Sequence, residues 1–231
     1  MQATGDTSAT RRSISLLSKH GYSNITPLSH RSFRATHPDW GQVVVKFALE
    51  TKHRVCLKRE AEFLHSFPSP YWPTYRDYLS LGSTDCLVVS FISGKTLAEQ
   101  ALNPSADLSW MTAAENALLA LHATNHVHGD IKPSNVILEE NGGVKLIDLG
   151  SIRKQGDDYL ADRFDSYTPS FTTRGSNGHY AHCLDDWGSF ALSIQRYLLA
   201  ATGANENDDS TMRLSFKMPS RYYMLLQRSC R

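Results

Sequence analysis

Between residues 126 and 138 the chain reads His126-Val127-His128-Gly129-Asp130-Ile131-Lys132-Pro133-Ser134-Asn135-Val136-Ile137-Leu138, an acid, a cation and a carboxamide within six residues. Thirteen residues after Asn135, at the end of the apolar run Val144-Lys145-Leu146-Ile147, a second acid opens Asp148-Leu149-Gly150. These residue types at this spacing suit phosphoryl transfer, in which positioning and charge stabilisation carry most of the catalysis. Asp130 would orient an attacking hydroxyl and accept its proton. Lys132 would neutralise charge on the transferred group, and Asn135 with Asp148 would hold Mg2+ against phosphates. Asp130, Lys132 and Asn135 are thus the catalytic candidates, and Asn135 and Asp148 the metal ligands. Of the ten histidines only His128 is given a role, as packing and hydrogen-bonding support for the loop. No Cys/His cluster suggests a transition metal.

Elements must hold these groups, and 231 residues suffice for one domain or for two small lobes. Short β-prone runs at 25–28, 33–36 and 42–48, separated by polar and Pro/Gly turns, predict a meander. Apolar spacing predicts a helix over 51–67 ended by Pro68, then strands over 75–80 and 85–91. The first lobe is therefore a five-stranded antiparallel sheet with one helix. Beyond Gly94 helices dominate, at 97–102, 108–124, 184–201 and 220–228. Strands at 135–139 and 144–148 flank the turn Glu140-Asn141-Gly142-Gly143. Residues 150–182 are polar, with few periodic apolar positions. Residues 1–18, rich in Ser and Thr, are expected to be a flexible leader. The fold class is α+β, divided as leader 1–18, first lobe 19–92 and reduced, mostly helical second lobe 93–231.

With the elements in place, residues 126–138 resemble the protein-kinase catalytic loop H-R-D-L-K-P-x-x-N with Gly129 for Arg, and Asp148-Leu149-Gly150 resembles D-F-G. Val43-Val44-Val45-Lys46 resembles V-A-I-K, which makes Lys46 the partner of the ATP α/β-phosphates. Arg59-Glu60-Ala61-Glu62 resembles the helix whose glutamate pairs with that lysine, with Glu60 the better match and Glu62 the alternative. Leu87-Val88-Val89-Ser90-Phe91-Ile92-Ser93-Gly94 resembles the last sheet strand and hinge. Val89 then takes the gatekeeper position, Ser90, Phe91 and Ile92 offer backbone groups to adenine, and Val44 and Ile137 form the apolar faces of the adenine slot. Asp186, in Asp185-Asp186-Trp187-Gly188-Ser189-Phe190, matches the acid that anchors the catalytic loop. The resemblance covers about residues 25 to 200 and implies a bilobal protein-kinase-like fold, ATP and Mg2+ as cofactors, and Ser/Thr hydroxyls of a protein as acceptors.

The sequence also departs from that family. No glycine lies between Tyr22 and Trp40, where a G-x-G-x-x-G loop belongs. Side chains of Ser29, His30, Arg31 and Ser32 would have to replace its backbone donors. Without the loop arginine, switching by activation-segment phosphorylation is not expected, and a constitutively active enzyme is. Tyr167-Thr168-Pro169-Ser170-Phe171 resembles G-T-P-G-Y only faintly, A-P-E is missing, and 45 residues follow Asp186. These reductions resemble compact effector kinases that bacterial pathogens inject into host cells, one family of which phosphorylates the host chaperone HSP90. That resemblance implies a cytoplasmic protein, or one delivered into a host cell without a cleaved signal peptide. The alternatives are a small-molecule kinase of the aminoglycoside or sugar type and an inactive pseudokinase scaffold.

Composition excludes other classes. A formal net charge of +1 argues against a nucleic-acid partner, and no apolar run is long enough to span a membrane. A monomer is expected. Cys56, Cys86, Cys183 and Cys230 form no C-x-x-C pair and read as free thiols.

Overall fold

Alternation of apolar residues along the β-prone runs builds a sheet here because two helices cover it. The computed structural model describes residues 7–81, 84–101, 108–173, 179–202 and 220–229. The chain divides into two units, Met1–Ile92 and Ser93–Arg231.

In the first unit β1 (Ser23–Pro27), β2 (Ser32–His37), β3 (Gly41–Ala48), β4 (Tyr75–Leu81) and β5 (Thr84–Ser90) form an antiparallel sheet of order β1-β2-β3-β5-β4. Val43, Val45 and Phe47 of β3 are buried with Phe33 and Ala35 of β2 and Cys86 and Val88 of β5. The period of two sends Val44 and Lys46 to the opposite face, where the register sets Val89 across from Val44 and Leu87 across from Lys46. Helix α2 (Thr51–Ser66) buries Leu57, Glu60, Ala61 and Leu64, a spacing that traces one helical face. Burial pushes the Cys86 thiol up to about 12, and Cys86 and Cys183 are free thiols. Cys230 lies outside the described residues.

One expectation is corrected. Residues 7–18 of the expected leader belong to helix α1 (Thr7–Lys19). Leu17 is buried against Tyr22, Phe33 and Val45, with Ile14 and Leu16 packed beside it. Composition suggested disorder because it counts residues, whereas these three apolar side chains fall within four positions and meet a sheet face that needs a cover. Burying a leucine contributes about 1.5–3 kcal/mol. The helix stops at Gly21, whose φ of 83° suits a residue without Cβ. Tyr22 N–H donates to Leu17 O at 3.1 Å and Gly21 N–H to Ser18 O at 3.2 Å, which satisfies the terminal carbonyls.

In the second unit α3 (Leu97–Gln100) begins with a reciprocal Thr96–Glu99 cap. Helix α4 (Met111–His122) buries Ala114, Ala117, Leu118 and Leu121. Strand β6 (Lys95–Thr96) joins β8 (Val136–Leu138) and β9 (Val144–Leu146) in one small sheet, and β7 (His126–Val127) pairs with β10 (Arg153–Lys154) in another. The strand expected from 135 starts at Val136, because Pro133, with its fixed φ and no N–H, opens a 3₁₀ turn over Pro133–Asn135. Helix α5 (Cys183–Thr202) buries Phe190, Ile194 and Tyr197, and Tyr222 of α6 (Ser220–Ser229) stacks edge-on to Phe190 at 5.5 Å. No helix among the described residues is long and apolar enough to cross a membrane.

Candidate active site

In the first unit Lys46 Nζ donates to both carboxylate oxygens of Glu60, at 2.7 and 2.9 Å. Glu60 is only 2% exposed, while Glu62 is exposed and faces Lys58 at 3.8 Å, so Glu60 is the partner of Lys46. Helix α2 is held where Glu60 can reach the sheet by a second ion pair. Arg54 grips Asp85 of β5 with two hydrogen bonds of 3.0 Å, and Tyr78 and Ser80 donate to the same carboxylate. The Arg54 hydrogen bonds outweigh the cost of burial and lower the Asp85 carboxyl to about 2, with help from Tyr78 and Ser80.

The turn between β1 and β2 is built on its own hydrogen bonds. Leu28 and Ser29 N–H donate to Ser32 O, and Arg31 and Ser32 N–H donate to Ser29 Oγ. Those backbone donors are therefore engaged inside the turn, unlike those of a glycine-rich phosphate loop. At the expected hinge Ser90 N–H donates to Thr74 O and Phe91 N–H to Gln42 O. Two of the three residues expected to meet adenine thus spend their N–H within the sheet. Val44 and Val89 lie opposite each other on the Lys46 face, and Ile137 lies in β8 of the second unit.

In the second unit the loop after β7 carries Asp130, Lys132 and Asn135. Lys132 Nζ donates to Asp130 Oδ2 at 2.7 Å and to Thr168 Oγ1 at 2.8 Å. Thr168 N–H donates to Asp130 Oδ1 at 2.8 Å, and Asn135 Nδ2 donates to Asp130 O at 2.9 Å. The carboxylate is thereby held in one direction, with 11% of its side chain exposed. Thr168 lies 38 residues from Asp130, and the faint G-T-P resemblance was the one sequence feature that touched it.

The loop is suspended from helix α5. Asp186 accepts from His128 N–H at 2.7 Å and Gly129 N–H at 3.0 Å, and it meets His122 Nε2 at 2.9 Å. Burial by itself would raise the Asp186 carboxyl, but the His122 hydrogen bond and charge and the Gly129 donor together hold it below the usual range. Gly129 has a φ of 77°, open to glycine and costly for the arginine of the family pattern. His128 is fully buried and links both chemical segments, with Nδ1 toward Asp130 N–H at 3.3 Å and Nε2 toward Ile147 O at 3.1 Å. This pair of contacts requires the proton on Nε2.

Asp148 follows Ile147 with φ 62° and ψ 59°, a left-handed conformation rare outside glycine. Backbone strain of this kind persists where the surroundings over-determine it and clusters at functional sites. Ile147 N–H donates to Asn135 O at 2.9 Å, which ties the start of this turn to the loop. With the Asn135 amide nitrogen engaged by Asp130, its carbonyl oxygen is the group left to serve as a ligand. An Asp carboxylate and an Asn oxygen are hard donors suited to Mg2+, which completes its shell with water and phosphate. Among the described residues no three His, Cys, Asp or Glu side chains gather to hold a metal by themselves.

Where A-P-E was missing, Thr173 is buried and donates to Asp185 O at 3.2 Å. Gly188 lets it approach, since a methyl group at 188 would overlap the Thr173 hydroxyl.

Comparison with known proteins places this geometry in context. The family model "Protein kinase domain" matches residues 32–174. A "Probable serine/threonine-protein kinase" of Streptomyces coelicolor is 33% identical over 130 residues, covering 50% of this chain and 19% of that protein. A serine/threonine-protein kinase of Corynebacterium efficiens is 31% identical over 115 residues, 46% of this chain and 22% of the relative. Ribosomal protein S6 kinase alpha-1 of Homo sapiens is 24% identical over 204 residues, 80% of this chain and 27% of the relative. The chain therefore spans about a quarter or less of the length of these relatives.

Proposed function

From the premise that the chain belongs to the protein kinase domain family, we propose that it transfers the γ-phosphoryl group of ATP to Ser or Thr hydroxyls of a protein. The observation that carries this reading is the set of hydrogen bonds joining Asp130, Lys132, Asn135 and Thr168. Asp130 faces the acceptor hydroxyl and takes its proton as the oxygen attacks. Lys132, already shared between Asp130 and Thr168, offers positive charge to the group in transit. Lys46, fixed by Glu60, pairs the α/β-phosphates. Mg2+ held by Asp148 and Asn135 would neutralise charge on the β- and γ-phosphates. Gly129 stands where an arginine would meet a phosphorylated activation segment, which supports constitutive activity.

The test is transfer of labelled phosphate from ATP to a library of Ser- and Thr-containing peptides, with an aminoglycoside and a sugar as parallel acceptors. Peptide labelling by wild type and its loss in Asp130→Ala is the expected result. Labelling only of the small molecules, or of nothing, overturns the proposal. The finer proposal is a monomeric effector acting in a host cell on a protein such as the HSP90 chaperone, supported by Gly129 in the catalytic loop and the missing A-P-E. Its check is a mass-spectrometric comparison of phosphopeptides gained in host lysate with wild type and with Asp130→Ala. No gained HSP90 phosphopeptide would remove that chaperone as the substrate.

A further inference from the structure

Residues 149–173 leave Asp148 and return to Thr173, and their path decides whether Thr168 meets Asp130. Arg153, on the outgoing limb, is 5% exposed. Its Nη1 donates to Ser151 O at 3.1 Å and Ile152 O at 2.9 Å, which fixes the plane of the guanidinium. Its Nη2 donates to Asp162 and, at 3.2 Å, to Asp165 on the returning limb. A second tie runs beside it, from the Ser151 hydroxyl to Ser166 O. Three residues past Asp165, Thr168 gives its N–H to Asp130 and its hydroxyl oxygen to Lys132.

A segment of this kind is commonly ordered by a phosphate set against an arginine, since the phosphate brings negative charge and several acceptor oxygens. Here two carboxylates of the chain already bring that charge to one buried guanidinium. A buried ion pair broken on one side leaves a strongly destabilised charge, so the limbs are held firmly while all three groups are present.

We propose that Arg153, Asp162 and Asp165 form a built-in clasp that sets Thr168 against Asp130 and makes the segment competent without phosphorylation. This rests on the kinase reading above. Arg153 is a positioning residue, since it acts through Thr168.

The experiment uses the full chain, treated with phosphatase and shown by intact mass to carry no phosphate. Three quantities are read: kcat/KM on the Ser/Thr peptide library, the Kd of ATP with Mg2+, and hydrogen exchange in the peptide containing Thr168. Dephosphorylated wild type should reach its full rate without a lag. Arg153→Ala and Asp162→Asn/Asp165→Asn should lose at least about tenfold in kcat/KM while ATP affinity stays within about threefold, because positioning of the acceptor side is lost and nucleotide binding is not. Exchange at Thr168 should rise in both. Arg153→Lys, which keeps the charge but not the fork, should recover part of the loss. Because Arg153→Ala removes a buried group, the near-isosteric Asp165→Asn alone serves as the folding-safe variant and should move in the same direction. A rate that depends on prior phosphorylation, or unchanged kcat/KM and exchange in Asp165→Asn and Arg153→Ala, overturns the clasp. Absence of peptide phosphorylation by wild type, with exchange at Thr168 still raised in the variants, overturns the kinase reading instead and leaves the clasp without a catalytic role.

Discussion

Asp148 combines two demands that a single substitution can separate. Its left-handed backbone favours a short polar side chain, and its proposed role needs a negative charge. Asn tolerates that conformation about as well as Asp, so Asp148→Asn should fold normally and show an unchanged melting temperature. Phosphotransfer should nonetheless fall by about 10²–10³, the usual size of a lost electrostatic contribution to the transition state. Asp148→Ala should lose the same activity and about 1–2 kcal/mol of stability as well, because Ala pays the left-handed penalty in full. Thermal melts beside labelled-phosphate assays check both. Equal melting temperatures for the two variants would mean that the strain is not stored at this residue. At this scale Asp130, Lys132, Asn135 and Asp148 were legible because short spacing and residue type limit the chemistry they can do. Thr168 and Arg153 were not assigned roles, because a hydrogen bond across 38 residues and an ion pair within a polar loop leave no periodic trace.

Helix α2 matters chiefly as the carrier of Glu60, and the Arg54–Asp85 pair on its first turns fixes it to β5. Asp85 has a folded pKa lowered to about 2 against an ordinary value of 3.8. The folded form therefore binds this proton less readily than the unfolded chain does. Its stabilising contribution is complete above the unfolded value and disappears as pH falls through about 2. Unfolding midpoints measured between about pH 2 and 6 should drop on acidification in wild type, and Asp85→Asn should flatten that drop while lowering stability near neutrality. A variant with the same acid slope as wild type would show that other carboxylates dominate it. The apolar spacing 57, 61, 64 made the helix readable, and it left Glu60 and Glu62 unresolved. The deciding fact is which carboxylate faces Lys46, and that depends on how the helix is rotated over the sheet.

For the molecule as a whole, local patterning was legible in the strands and helices, and what covers the sheet was not. Helix α1 escaped the composition reading although Gly21 after Lys19 and His20 marks a helix stop, because disorder was inferred from the Ser/Thr content of residues 1–18 rather than from where Ile14, Leu16 and Leu17 fall. The division into two units raises a functional question of its own. Lys46 and Glu60 belong to Met1–Ile92, whereas Asp130, Lys132, Asn135 and Asp148 belong to Ser93–Arg231. If both sets serve one phosphoryl transfer, their losses cannot be independent, since groups that act together in one transition state are strongly non-additive. Lys46→Met and Asp130→Asn should each lower kcat by about 10²–10³, and independent effects would multiply to about 10⁴–10⁶ in the double variant. One shared reaction predicts instead a double variant close to the weaker single, because once either contribution is gone the other has little transition-state charge left to stabilise. Single-turnover assays of the four proteins, with ATP saturating for each, decide between these outcomes. Full multiplication would mean that the two units contribute separately, and the role given to Lys46 would have to be withdrawn.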